Sequence, residues 1–184
     1  LSKQAKSNKL KMKKPFKYLI IHCSATPEGR SVTAETVRNW HCAPKPVGRG
    51  WSRVGYSDLI LLDGSRHRFV KHNMDKWIDE NEITNGALGI NSISRHVCYI
   101  GGMSKDMKKV KNTLTAQQNS MLSSIIAEVL SYNPDVLIAG HNQFAAKGCP
   151  SFWVPDYLRN HCLIKVNEKN IYTNDPYHAT NMFK

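Results

Sequence analysis

The sequence predicts an α/β (α+β) fold, a single domain with a central mixed β-sheet flanked by helices. Three observations lead there. Short apolar, β-prone runs alternate with stretches of helical periodicity along the 184 residues. That length suits one sizeable hydrophobic core and leaves little room for a second. The apolar runs, such as Tyr18 to Ile21 and Leu59 to Leu62, have the length of buried strands and fall far short of a membrane span.

The elements follow in order. Phe16 to Ile21 reads as a buried strand ending at His22, with Cys23 next. Thr26-Pro27-Glu28-Gly29 is loop chemistry. Thr33 is a helix N-cap with Glu35 in the first turn, and Val37, Trp40 and His41 share one face of that helix. Two prolines and two glycines between Cys42 and Gly50 impose a loop. Val54 to Leu62 reads as a strand, Asp63-Gly64 as a hairpin turn and Arg66 to Val70 as the returning strand. Residues 71–94 are polar and irregular, and so long a loop inside a small domain is uncommon unless it lines a site. His96 to Ile100 is a further strand, closed by Gly101-Gly102. Thr115 and Gln118 form a capping box ahead of a stripe of Met121, Leu122, Ile125, Ile126, Val129 and Leu130, which Asn133-Pro134 terminates. Val136 to Ala139 is a short buried strand that delivers His141 into a loop, and Pro155 to Cys162 is a last helix. Residues 163–184 are polar, with little pattern beyond Leu163 to Val166, and no internal repeat is present. The predicted organisation is a basic leader over 1–15, a domain over 16–162 and a polar extension over 163–184.

Hydrophobic residues at 41% and charged residues at 22% set aside disordered and collagen-like classes. The net charge of +12 suggests a nucleic-acid binder until its distribution is seen. Residues 1–17 carry seven lysines and no acid, and setting these aside leaves +5. Nucleic acid is therefore not the expected partner. The leader reads as a solvated disordered tail or an expression-derived addition, with Met12 as an alternative start. Its functional alternative is an electrostatic tether to an anionic polymer. It has no apolar h-region, so no signal peptide is expected and synthesis is assigned to the cytoplasm. Five cysteines, an odd number at irregular spacings, argue against a secreted disulfide framework. No CxxC pair occurs, which removes a four-cysteine structural zinc site.

Eight histidines remain to be sorted. Nothing in their surroundings marks His67, His72, His161 or His178 as ligands, and His41 beside Trp40 reads as packing. His96 and Cys98 share one face of a strand, a spacing that suits a metal but lacks a third ligand. His22, His141 and Cys149 stand out by position, at the end of one strand, after another, and in the loop that follows. Zinc accepts imidazole nitrogen and thiolate sulfur, and three such ligands leave a fourth position for water. On residue type and position this set is a plausible open zinc site and no more.

His22-Cys-Ser-Ala-Thr26, Gly50-Trp-Ser-Arg-Val-Gly-Tyr56, Gly140-His-Asn142 and Lys147-Gly-Cys-Pro-Ser-Phe152 occur in this order. Together they resemble the N-acetylmuramoyl-L-alanine amidases of the bacteriophage lysozyme type, which share a fold with the animal peptidoglycan recognition proteins. The resemblance spans residues 16–160. It implies one Zn2+ per chain in a surface cleft, held by His22, His141 and Cys149, with Tyr56 and Lys147 as active-site residues. It also implies bacterial peptidoglycan as substrate, cut at the amide between N-acetylmuramic acid and L-alanine, by a monomer that reaches the wall after release from the cell.

Two other roles belong to the same family. Binding-only relatives of this fold tend to lose the cysteine ligand, whereas Cys149, Tyr56 and Lys147 are all present here. Some phage amidases of this type also bind the phage RNA polymerase, and no residue in this chain points to that surface. The chain departs from the family at Asn85-Gly-Ala-Leu-Gly-Ile-Asn91, which lacks a loop histidine, and at Ser94-Arg-His96, where a small segment is usual. Substrate contacts from this loop are expected to differ.

Overall fold

Residues 13–183 are described by this computed structural model, so most of the leader predicted to be disordered lies outside the described residues. The strands are β1 (Lys14–Pro15), β2 (Tyr18–Cys23), β3 (Thr26–Pro27), β4 (Asp58–Ile60), β5 (Arg66–Arg68), β6 (Trp77–Ile78), β7 (Ser94–Tyr99), β8 (Gly102–Met103) and β9 (Leu137–Gly140). The helices are α1 (Ala34–Cys42), α2 (Ala116–Tyr132) and α3 (Val154–Asn160). The main sheet runs β5-β4-β7-β2-β9, antiparallel between β5 and β4 and parallel elsewhere. This is the mixed sheet with flanking helices that the residue pattern predicts.

Parallel strands buried on both faces read as apolar runs, as Leu19 to Ile21 of β2 do, whereas β7 is buried at all six positions with Ser94, Arg95 and His96 among them. Alternation then decides which helix each side chain meets. Leu19, Ile21 and Cys23 of β2 pack with Val97 and Tyr99 of β7 against Leu122, Ile125, Ile126 and Val129 of α2 and Val154, Tyr157 and Leu158 of α3. On the opposite face Leu59 and Cys98 pack with Val32 and with Val37 of α1. The parallel register sets Ile20 beside His96 and His22 beside Cys98. His22, His96 and Cys98 therefore share the α1 face of the sheet.

The caps are as the residues predict. Thr33 Oγ1 accepts the Thr36 N–H at 3.1 Å. Thr115 and Gln118 exchange both capping-box bonds, at 3.1 and 3.0 Å. The strand expected over Val54 to Leu62 is shorter, because the backbone before Ser57 is bonded elsewhere. The Gly55 N–H donates to His41 Nδ1, and the Val54 carbonyl accepts from Asn85. The long loop over 71–94 carries β6, which pairs with β1, and 3-10 turns at Glu80–Glu82 and Asn91–Ile93.

Chain beyond residue 162 also packs on the domain. Val166 and Ile171 join the larger apolar cluster, and the Tyr172 N–H donates to the Ile138 carbonyl at 3.1 Å, extending the β9 edge. The Gln143 amide donates to the carbonyls of Tyr172 and Asn174. Few apolar residues do this work, which is why composition alone read the segment as unpatterned. Among the described residues no helix is long and apolar enough to cross a membrane.

Candidate metal centre and cleft

The site lies at the carboxyl ends of the parallel strands, where open α/β sheets form their crevices. His22 is the fifth residue of β2, and His141 follows the last residue of β9 and opens a 3-10 turn over His141–Gln143. Cys149 returns to both strands. The Asn142 N–H donates to its carbonyl at 2.7 Å, and the Cys23 N–H donates to its sulfur at 3.2 Å. This close return explains Gly140. A Cβ there would lie 2.5 Å from Asn142 Oδ1 and 2.9 Å from Val154 Cγ2.

Among the described residues, His22, His141 and Cys149 bring one ligand atom each to within 4.8 Å of one another. His22 Nδ1 and Cys149 Sγ are 3.7 Å apart. Ligands around a tetrahedral zinc stand about 3.3–3.6 Å apart, given Zn–N and Zn–S bonds of about 2.0 and 2.3 Å. The donor set and spacing therefore fit a metal ion of this kind with small adjustments. Burial pushes the Cys149 thiol up, so its thiolate form calls for a cation against it.

Burial also keeps the nearby imidazoles neutral, the form that ligates metal. His22 is held well below its usual range by burial and then by His141. His141 is pushed down to about 4 by burial and Lys147, and His96 to about 3 by burial and His141. His41 is also pushed down to about 4, by burial and then Arg49. The unfolded chain takes up protons on these rings below about pH 6.5, and the folded chain does not. Stability is thus full above about pH 6.5 and falls as the pH drops toward 4. For His41 alone the loss at pH 5 is about 2 kcal/mol. Urea melts of the metal-free protein between pH 7.5 and 5 should show this decline. A flat profile would contradict the neutral histidines.

Tyr56 and Lys147 reach the same region by different routes. The Tyr56 ring stands 5.2 Å from that of His22 and 5.1 Å from that of His41. Burial raises its pKa well above the usual value, and the Cys98 and Cys149 thiols add to this, so its hydroxyl keeps its proton and can donate. Lys147 is exposed and lines a cleft of about 720 Å³ together with His141, Trp51, Asn85 and Gly86.

The structure also corrects and extends the sequence reading. His41 is more than packing, since it accepts from Gly55 and stacks on Trp51 at 5.1 Å. The His96–Cys98 pair gathers no third ligand among the described residues. His96 Nδ1 instead meets His22 Nε2 at 3.0 Å, and Cys98 Sγ faces the Tyr99 carbonyl at 3.5 Å. Arg49, which lies over the Trp51 ring at 5.1 Å, and Tyr177 of the extension both line the cleft. No motif marked either of them in the sequence. The loop over 71–94 does line the cleft, through Asn85, Gly86, Leu88 and Asn91.

The sequence matches no protein-family model. It is 33% identical over 134 residues to the endolysin of Escherichia phage T7, covering 73% of this chain and 80% of that one. The Ph2119 endolysin from Thermus scotoductus MAT2119 bacteriophage Ph2119 superposes with a TM-score of 0.59 at 21% identity, over 74% of this chain and 78% of the other. The N-acetylmuramoyl-L-alanine amidase LysCS from Clostridium intestinale superposes with a TM-score of 0.54 at 23% identity, over 74% of each chain. At these identities the two superpositions establish the fold.

Proposed function

The chain belongs to the phage endolysin amidases of the type 2 amidase and peptidoglycan recognition protein superfamily, and from that premise we propose that it hydrolyses the amide between N-acetylmuramic acid and L-alanine with one zinc ion. The observation that carries this reading is the convergence of two imidazole nitrogens and one cysteine sulfur, from His22, His141 and Cys149, beside an open cleft. When bound there, zinc polarises the scissile carbonyl and acidifies a water. The protein's own residues supply the rest. Lys147 carries a positive charge on the cleft wall, where the oxyanion of the tetrahedral intermediate needs a counter-charge. The protonated Tyr56 hydroxyl donates a hydrogen bond to the same developing charge, and the neutral state of His22 and His141 leaves their lone pairs for the metal.

Residues 16–162 are the proposed amidase domain. The extension from 163 packs along β9 and brings Tyr177 to the cleft. We assign synthesis to the cytoplasm and action to the wall after release, the route of phage endolysins. A binding-only role is disfavoured by the presence of the cysteine ligand. Purified protein incubated with peptidoglycan should release soluble muropeptides carrying new L-alanine amino termini. A chelator should abolish this release and added zinc restore it. Release that persists undiminished in the chelator would refute the zinc step, and new amino termini other than L-alanine would refute the bond.

A further inference from the structure

We infer that His96 is a positioning residue for His22, accepting the Nε2–H of His22 on its own Nδ1 and so keeping His22 Nδ1 free as a metal ligand. The inference rests on the zinc reading above and deepens it.

The register of β2 and β7 pairs His96 with Ile20 and His22 with Cys98, which sets the two histidine side chains on one face of the sheet, two residues apart along the strands. Their facing nitrogens, His22 Nε2 and His96 Nδ1, are 3.0 Å apart, and both residues are buried, at 1% and 0% exposure. Two neutral rings in this contact share one proton, which leaves two arrangements. If His96 donates, the His22 proton sits on Nδ1, which faces Cys149 Sγ at 3.7 Å, and the ring cannot ligate a metal alongside that sulfur. If His22 donates, its Nδ1 lone pair points at the sulfur and His141, and the site is assembled. A metal-ligating histidine commonly donates its other ring N–H in this way, which fixes both tautomer and ring orientation.

Packing does not account for His96. In the donor arrangement of His22, the proton of His96 sits on Nε2, an atom that is buried and has no hydrogen-bond partner. A fully buried strand position is ordinarily filled by an apolar side chain at no such cost, and an unsatisfied buried polar atom in a native site calls for a reason. The contact with His22 supplies it. The ring is also held in place from the cleft side. A Cβ on Gly86 would lie 2.4 Å from His96 Cγ and Nδ1, so the cleft-lining loop backs directly onto the imidazole. The His96 backbone N–H donates to Ser57 Oγ at 3.3 Å, which ties β7 to the residue just before its neighbour strand β4.

The test is zinc affinity, measured by competition with a chromogenic chelator on the full chain. His96→Phe keeps a planar aromatic ring and removes the acceptor, and zinc binding should weaken by about 10- to 100-fold. His96→Asn places an amide oxygen near the Nδ1 position and should recover most of that loss. Equal affinity in His96→Phe and the parent would overturn the inference. So would an Asn variant as weak as the Phe variant, because that pattern reports lost packing. Nitrogen-15 NMR of the unaltered zinc-loaded protein gives a second reading that needs no variant. It should show His22 protonated at Nε2 and ligated through Nδ1, and the opposite assignment would overturn the inference. A parent protein that binds no zinc would instead refute the function proposed above.

Discussion

Cys149→Ser is expected to lose the stoichiometric zinc and to hydrolyse peptidoglycan roughly 10³-fold more slowly, a loss of about 4 kcal/mol of transition-state stabilisation. The size follows from what the thiolate does. In the proposed zinc site it is the one anionic ligand beside two neutral imidazoles, and Cys149 is anchored by the Cys23 N–H of β2 and by the Asn142 N–H in the turn after β9. A serine keeps the backbone anchor but offers a hydroxyl that stays protonated near neutral pH and is a poor zinc ligand. Cys42→Ser is the control, because Cys42 closes α1 and takes no part in the cluster. Zinc content by atomic absorption and muropeptide release should fall together in the Cys149 variant and stay at the parent level in the Cys42 variant. His141→Ala should follow Cys149→Ser. A Cys149 variant that retains both zinc and full turnover would sink the ligand assignment.

The sheet and its caps were legible because their signals are local. Thr115 and Gln118 sit three residues apart and exchange both predicted hydrogen bonds, and the apolar stripe behind them becomes the α2 face of the core. His22 and His141 were legible as strand-end residues for the same reason. That they meet Cys149 depended on the resemblance, since no local signal joins chain segments so far apart. The His22–His96 contact was legible only in half. Alternation placed His96 and Cys98 on one face, but their facing strand and its register are non-local facts that a single sequence does not carry. The shortened β4 has a similar cause, because the backbone at Gly55 and Val54 is claimed by His41 and Asn85 rather than by its neighbour strand. Tyr177 was invisible because its segment packs through a few isolated residues, among them Val166 and Ile171.

Tyr56→Phe and Lys147→Met should each lower turnover by about 10²- to 10³-fold with zinc content unchanged, the usual cost of removing one donor to a developing oxyanion. The two residues reach that charge differently, and the difference is measurable. Tyr56 is half-buried against His22 and His41, and its hydroxyl keeps its proton under the burial and the neighbouring thiols. The proposed role is therefore that of a donor with no ionisation near neutral pH. Loss of its hydroxyl should reduce turnover by a constant factor from pH 6.5 to 8.5. Had Tyr56 served as a base with a depressed pKa, the parent rate would rise through that pKa and the Phe variant would lose the rise. Lys147 is exposed on the cleft wall, so its charge is partly screened by solvent and salt. Its contribution should shrink as ionic strength rises, whereas that of the uncharged Tyr56 hydroxyl should not. The double variant decides whether both act on one charge. Donors to the same oxyanion are coupled, so the combined loss should be smaller than the product of the single losses. A strictly multiplicative loss would place Tyr56 and Lys147 on different steps or different atoms of the substrate.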